Sequence, residues 1–161
     1  MRRLPIYTAA VSGLMTTPAL AADLQVSLEI PRLTVAEYHR PYVAMWIETP
    51  DKTAVKTVAV WYDVKMKNQE GQKWLKDMRQ WWRRAGREMT LPADGVSAAT
   101  RAPGKHQVVF KGGAAPLGNL PAGQYNLVVE AAREVGGVEV LRAPFQWPPK
   151  AAATSSAKGT S

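Results

Sequence analysis

Residues 23–30, DLQVSLEI, alternate without a break: Leu24, Val26, Leu28 and Ile30 on one side, Gln25, Ser27 and Glu29 on the other, with Pro31 closing the run. A period of two over this length marks a strand with one face in a core and one in water. Six further segments have the same character. YVAMWIET (42–49) stops at Pro50-Asp51, and KTVAVWYDVK (56–65) carries Val58, Val60, Tyr62 and Val64 on one face, so the short turn between them predicts a hairpin. GVSAATR (95–101), HQVVFKG (106–112), 125–132 and 138–146 follow, spaced by Pro103-Gly104, Gly112-Gly113, Pro121-Ala122-Gly123 and Gly136-Gly137. Seven short strands so punctuated predict a mainly β chain folded as an antiparallel sandwich, closed by a hairpin of the last two.

Between the third and fourth strands the period changes. In GQKWLKDMRQWWRRAGRE (71–88), Trp74, Leu75, Met78, Trp81, Trp82 and Ala85 fall on one helical stripe, with Lys76, Arg83 and Arg87 opposite. This predicts one amphipathic helix over 72–85, stopped at Gly86. Its indoles have two readings. They pack on the sheet and cover its open face, or Trp81 and Trp82 form a stacking wall for a planar ligand whose anionic end Arg79, Arg83 and Arg84 hold.

The ends read differently from the middle. Arg2 and Arg3, the apolar stretch 4–20 and Ala19-Leu20-Ala21 predict a signal peptide over 1–21, cut after Ala21, and so a periplasmic protein. No other run of about 18 apolar residues exists, so no membrane span is expected. Residues 148–161, PPKAAATSSAKGTS, are small and polar and predict a disordered tail. The folded domain is then 22–147.

Composition narrows the chemistry. The chain has no cysteine, which excludes disulfides and Cys-x-x-Cys-His haem attachment. Its two histidines, His39 and His106, are far apart and predict no metal site. Of the net charge of +8, much is local: residues 65–88 hold eight Lys/Arg against three acids. For an exported chain such a patch suits an acidic protein, anionic lipid heads or a phosphorylated ligand, not nucleic acid. Glu130, Arg133 and Glu134 read as a charged hairpin tip, or else bring Arg133 to the same site as Arg101. No histidine or lysine stands near Ser97 or Thr100 in sequence, so neither hydroxyl reads as a self-activated nucleophile.

Asp94-Gly95-Val96-Ser97-Ala98-Ala99-Thr100 resembles the acceptor sequence of periplasmic flavin transferases, Asp-x-x-Ser-Gly-Ala-Thr. Asp94, Ser97, Ala99 and Thr100 match, and Ala98 replaces the glycine. In those acceptors the final threonine carries FMN through a phosphoester. RPYVAMWIET, KWLKDMRQWWR, DGVSAATRAPG and GQYNLVVEAAREVGG, in that order over 38–147, are similar to a bacterial periplasmic family of unknown function often encoded beside PepSY-type membrane proteins and flavin transferases. Val135 stands where that family commonly has histidine. GKHQVVFKG and LPAGQYNLVVEAA further resemble Ig-like domains of the flagellar hook-cap type, which makes the expected sandwich Ig-like.

The resemblance implies a non-enzymatic electron-carrier or accessory module of a flavin-based redox system. FMN would be covalently held on Thr100 at the end of the motif that includes Asp94 and Ser97, with Arg101 neutralising the phosphodiester and Trp81 or Trp82 stacking on the ring. Its partners would be a flavin transferase and a PepSY-type membrane protein. The alternative is a non-enzymatic periplasmic Ig-like interaction domain that docks a membrane partner and carries no cofactor.

Overall fold

The computed structural model describes residues 6–9, 22–134, 136–149 and 154–155. The expected cleavage point after Ala21, most of the leader and tail, and Val135 lie outside them. The strands are β1 (Ile6–Ala9), β2 (Asp23–Ile30), β3 (Tyr42–Glu48), β4 (Ala54–Tyr62), β5 (Ser97–Ala99), β6 (Gly104–Lys111), β7 (Gly123–Ala132), β8 (Val138–Trp147) and β9 (Thr154–Ser155). They form two sheets, in the orders β6-β2-β1-β9 and β5-β4-β3-β7-β8. The seven strands expected from alternation are all present, and the chain is a β-sandwich. β1 lies in the stretch read as leader and β9 in the stretch read as tail; β1 pairs with β2, and β9 pairs with β1 at the edge of the first sheet.

The alternating residues of β2 face inward. Leu24, Val26, Leu28 and Ile30 pack with Val43, Met45 and Ile47 of β3 and with Leu127 and Val129 of β7 in the core between the sheets. β3 is buried along its whole length, because a second core covers its other face. There Ala44 and Trp46 join Val60, Tyr62 and Val128 under Leu75, Met78 and Trp81 of the insert. The molecule therefore has three layers: sheet, sheet, insert. On β4 the register shifts between Met45 and Trp46, whose partners are Ala59 and Thr57. The bulge turns Val58 into the inter-sheet core while Val60 and Tyr62 face the insert. Val64, expected on the same face, lies beyond the strand and is exposed.

One pair departs from the antiparallel pattern. β5 runs parallel to β4, Val60 opposite Ser97 and Tyr62 opposite Ala99. A chain that leaves β4, crosses the sheet face as the insert and returns at the next position along the edge arrives in the same direction.

The single helix expected over 72–85 is three pieces: a 3-10 segment Lys67–Asp77, helix α1 (Arg79–Arg84) and a 3-10 turn Gly86–Glu88. Met78, at φ −78° and ψ 77°, breaks the first from the second. Glu130 of β7 restarts the helix, its buried carboxylate accepting the backbone N–H groups of Gln80 at 3.0 Å and Trp81 at 2.7 Å. At the other end Gly86 lies against the Trp81 ring, where a Cβ would come within 2.7 Å. A second buried carboxylate, Glu48 of β3, accepts from Arg142 Nε at 2.7 Å and Arg84 Nη1 at 3.2 Å, which ties α1 to β3 and β8.

Burial pushes the Glu130 carboxyl above the ordinary glutamate range, against the pull of the two N–H groups and of Arg142 and Arg83. The folded chain thus holds this proton more tightly than the unfolded chain. The stability it supplies is complete below the ordinary glutamate pKa of 4.5 and falls as pH rises through the raised value. Urea midpoints of the wild type should therefore fall relative to those of Glu130→Gln as pH rises above 4.5. Parallel curves for the two proteins would contradict this.

Candidate functional site

At the end of the five-stranded sheet where β3 begins and β4 and β7 finish lies a cavity of about 380 Å³, within the range of small-molecule sites. Five stretches of chain converge on it: Tyr38–Arg40 ahead of β3, Asp63 after β4, Trp74 and Asp77 of the insert, Thr100 after β5, and Ala132–Glu134 after β7.

The inner wall is fixed by Tyr42, whose Oη donates to the Gly71 carbonyl at 2.9 Å. Burial raises the Tyr42 phenol to about 12, so it stays a neutral donor. Gly71 has no room for a side chain, since an added Cβ would collide with the Asp63 carbonyl. Gly71→Ala should push the insert off the end of β4, lower stability by about 1–3 kcal/mol and open the cavity wall. Its urea midpoint beside that of the wild type checks this; an unchanged midpoint would mean that the insert shifts freely.

The outer wall is polar and aromatic. Trp74 packs against the second core with part of its indole uncovered. The His39 imidazole faces the carboxylates of Glu37 at 3.1 Å and Glu134 at 3.5 Å. The Tyr38 hydroxyl is enclosed and has no hydrogen-bond partner among the described residues. An enclosed donor left unpaired costs stability, and a polar ligand atom in the cavity would relieve that cost.

The residues singled out from sequence are dispersed around this cavity. Thr100 is half-buried and lines it. Ser97 begins β5, and its hydroxyl accepts the Ala93 N–H at 3.0 Å, closing the turn in which exposed Asp94 stands. Ala98 sits in the parallel ladder opposite Trp61. The described non-glycine residues with positive φ are Lys52, Asn68 and Gln69, so the folded loop asks for no glycine at Ala98. Arg101 turns away from Thr100 and covers Trp61, its guanidinium carbon 4.9 Å from the ring centroid. Trp81 is fully enclosed, with its indole N–H on Thr57 Oγ1 at 3.1 Å, and half-buried Trp82 leans on it. Neither lines the cavity; the indole that does is Trp74. Arg133 reaches the cavity that holds Thr100, whereas Arg101 does not.

Sequence reasoning missed Tyr38, His39, Arg40 and Tyr42. The run Tyr38-His39-Arg40 ahead of a fully buried strand is the signal that could have found them, since aromatic and ionisable residues crowd there against the start of the core.

One family model matches residues 23–161, and it is described as a predicted periplasmic protein, DUF2271. No curated protein and no solved structure matches the chain.

Proposed function

Because the chain belongs to the DUF2271 family of predicted periplasmic proteins, we propose that it serves in the periplasm as an electron-carrier or accessory module that holds FMN covalently on Thr100. The observation that carries this reading is the position of Thr100, at the carboxyl end of a short edge strand and in the wall of a 380 Å³ cavity that also presents an indole. Of the two hydroxyls in the acceptor-like motif, that of Ser97 is engaged in its turn, and that of Thr100 borders open space.

A separate flavin transferase does the chemistry of attachment. Thr100 Oγ1 takes up the FMN phosphoryl as the pyrophosphate of FAD breaks, AMP leaves with the electron pair, and the hydroxyl proton passes to the transferase. Acceptor activation is not required, which accounts for a site with no lysine or histidine adjacent in sequence. Redox capacity comes from the flavin; the protein supplies place and electrostatics. Trp74 offers a stacking surface, Tyr38 an unspent hydrogen bond, and Arg40 a positive charge at the cavity. Its electron partner is a PepSY-type membrane protein.

A second reading, a docking domain without cofactor, draws on the exposed Lys73, Lys76, Arg79, Arg83 and Arg87 of the insert, a face suited to an acidic membrane partner. Co-expression with an active periplasmic flavin transferase separates the two. The mature protein should gain the mass of FMN less one water and give a fluorescent band on a denaturing gel. An unmodified mass beside a transferase that labels a known acceptor would leave the docking reading.

A further inference from the structure

The first sheet includes a strand from the stretch expected to be removed on export. On one side β2 pairs with β6 through all eight residues, Asp23 to Ile30. On the other side its partner is β1, Ile6 opposite Leu28 and Ala9 opposite Gln25, and β1 lies in the segment read as a cleaved leader. The family match begins at residue 23 and so excludes β1.

We infer that the exported protein presents the outer edge of β2 as an acceptor for an extended segment of another polypeptide, one that runs antiparallel to β2 and is apolar at alternate positions. Three observations fix that chemistry. First, with β1 gone, two strands, β6 and β2, face five. β1 lies against β8, whose inward Leu141 and Ala143 belong to the core between the sheets. A row of unpaired backbone groups beside uncovered apolar side chains is the arrangement to which strands add. Second, the slot has register. Val26 and Leu28 point into the core, and positions opposite them share that face, which favours apolar or small side chains there, as with Ile6 and Thr8 in the β1 sequence, and tolerates polar ones between. Third, β1 reaches only as far as Leu28, and beyond it a small cavity of about 50 Å³ opens, with Ile30, Val43, Val129 and Leu141 on its apolar side and Arg133 and Glu139 on its rim. An apolar residue opposite Ile30 would fill it.

Two other occupants fit poorly. A second copy placed by a two-fold axis would bring its own β8 beneath the slot, where the first copy's β8 already lies. The chain's own tail, KAAATSSAKGTS over 150–161, has no apolar side chain larger than alanine. The inference stands apart from the reading of Thr100.

Amide hydrogen exchange of the mature protein, residues 22–161, tests it. The probe is a synthetic peptide of residues 4–10, LPIYTAA, alongside two versions N-methylated at every second residue in opposite phases. The β2 amides directed away from β6 should exchange fast in the free protein, with and without residues 150–161. The unmodified peptide should slow them about tenfold or more, and at least one N-methylated version should fail to. Three results would overturn the proposal: edge amides already slow in the full mature chain but fast without the tail, edge amides that slow with protein concentration as dimers form, or edge amides that the unmodified peptide leaves unchanged.

Discussion

Thr100→Val, co-expressed with a periplasmic flavin transferase, is expected to keep its unmodified mass, while Ser97→Ala retains at least part of the label. Valine has the shape of threonine without the hydroxyl, and position 100 lies outside the strand ladder and only half-buried. The substitution therefore removes Oγ1 and little else, and the loss of label should be complete. Ser97→Ala deprives the Ala93 N–H of its acceptor, a cost of about 1 kcal/mol that loosens the turn ahead of β5 but leaves Oγ1 of Thr100 in place. Thr100→Ser should be labelled, since it keeps a hydroxyl. Mass spectrometry of the intact proteins reads all three. Label that persists in Thr100→Val, or that vanishes in Ser97→Ala alone, would move the attachment point and sink the assignment.

Trp81→Ala should lower the stability of the mature protein by about 3–5 kcal/mol, as for other core tryptophan truncations. The indole is 0% exposed, its N–H is spent on Thr57, and Gly86 is packed against its ring. Ala44, Val60 and Val128 of the sheet share its cluster and have side chains too short to fill the space an indole leaves. Trp74→Ala is the contrast. One side of that indole already faces the cavity, so its removal should cost clearly less, about 1–2 kcal/mol. Urea midpoints of the two variants decide the matter; equal losses would mean that Trp74 is as deeply held as Trp81.

The strands were legible from sequence because their cause is local. Alternation in 23–30 needs only one wet face, and β2 has one. β4 was read with Val58, Val60, Tyr62 and Val64 on one side, and the bulge at Val58 defeats that reading, since it answers to the register of β3 and not to the order of residues in β4. The insert was legible as helical and amphipathic but not as broken. Its restart at Arg79 is imposed by Glu130, 50 residues from Gln80 in sequence, and no window along the chain contains both. The same distance explains the tryptophans. Spacing puts Trp74, Trp81 and Trp82 on one stripe, but the break at Met78 rotates the two halves, so that Trp81 enters the core and Trp74 lines the cavity. The motif singles out Thr100 in sequence but not the residues around it, because Tyr38, Trp74 and Arg133 line the same cavity only through the fold.

β5 is three residues long, forms the rim of its sheet and is held by β4 alone. A rim so short can open at less cost than unfolding, although opening must also withdraw Ala98 from the inter-sheet core. The attachment rate at Thr100 should then rise in mild denaturant well before the global transition, because the transferase meets a lifted hydroxyl more often. Were Thr100 to carry FMN as proposed, opening of β5 would move the flavin with it. The frequency of that movement would be set by three ladder pairs and by the contact of Ala98 with the core.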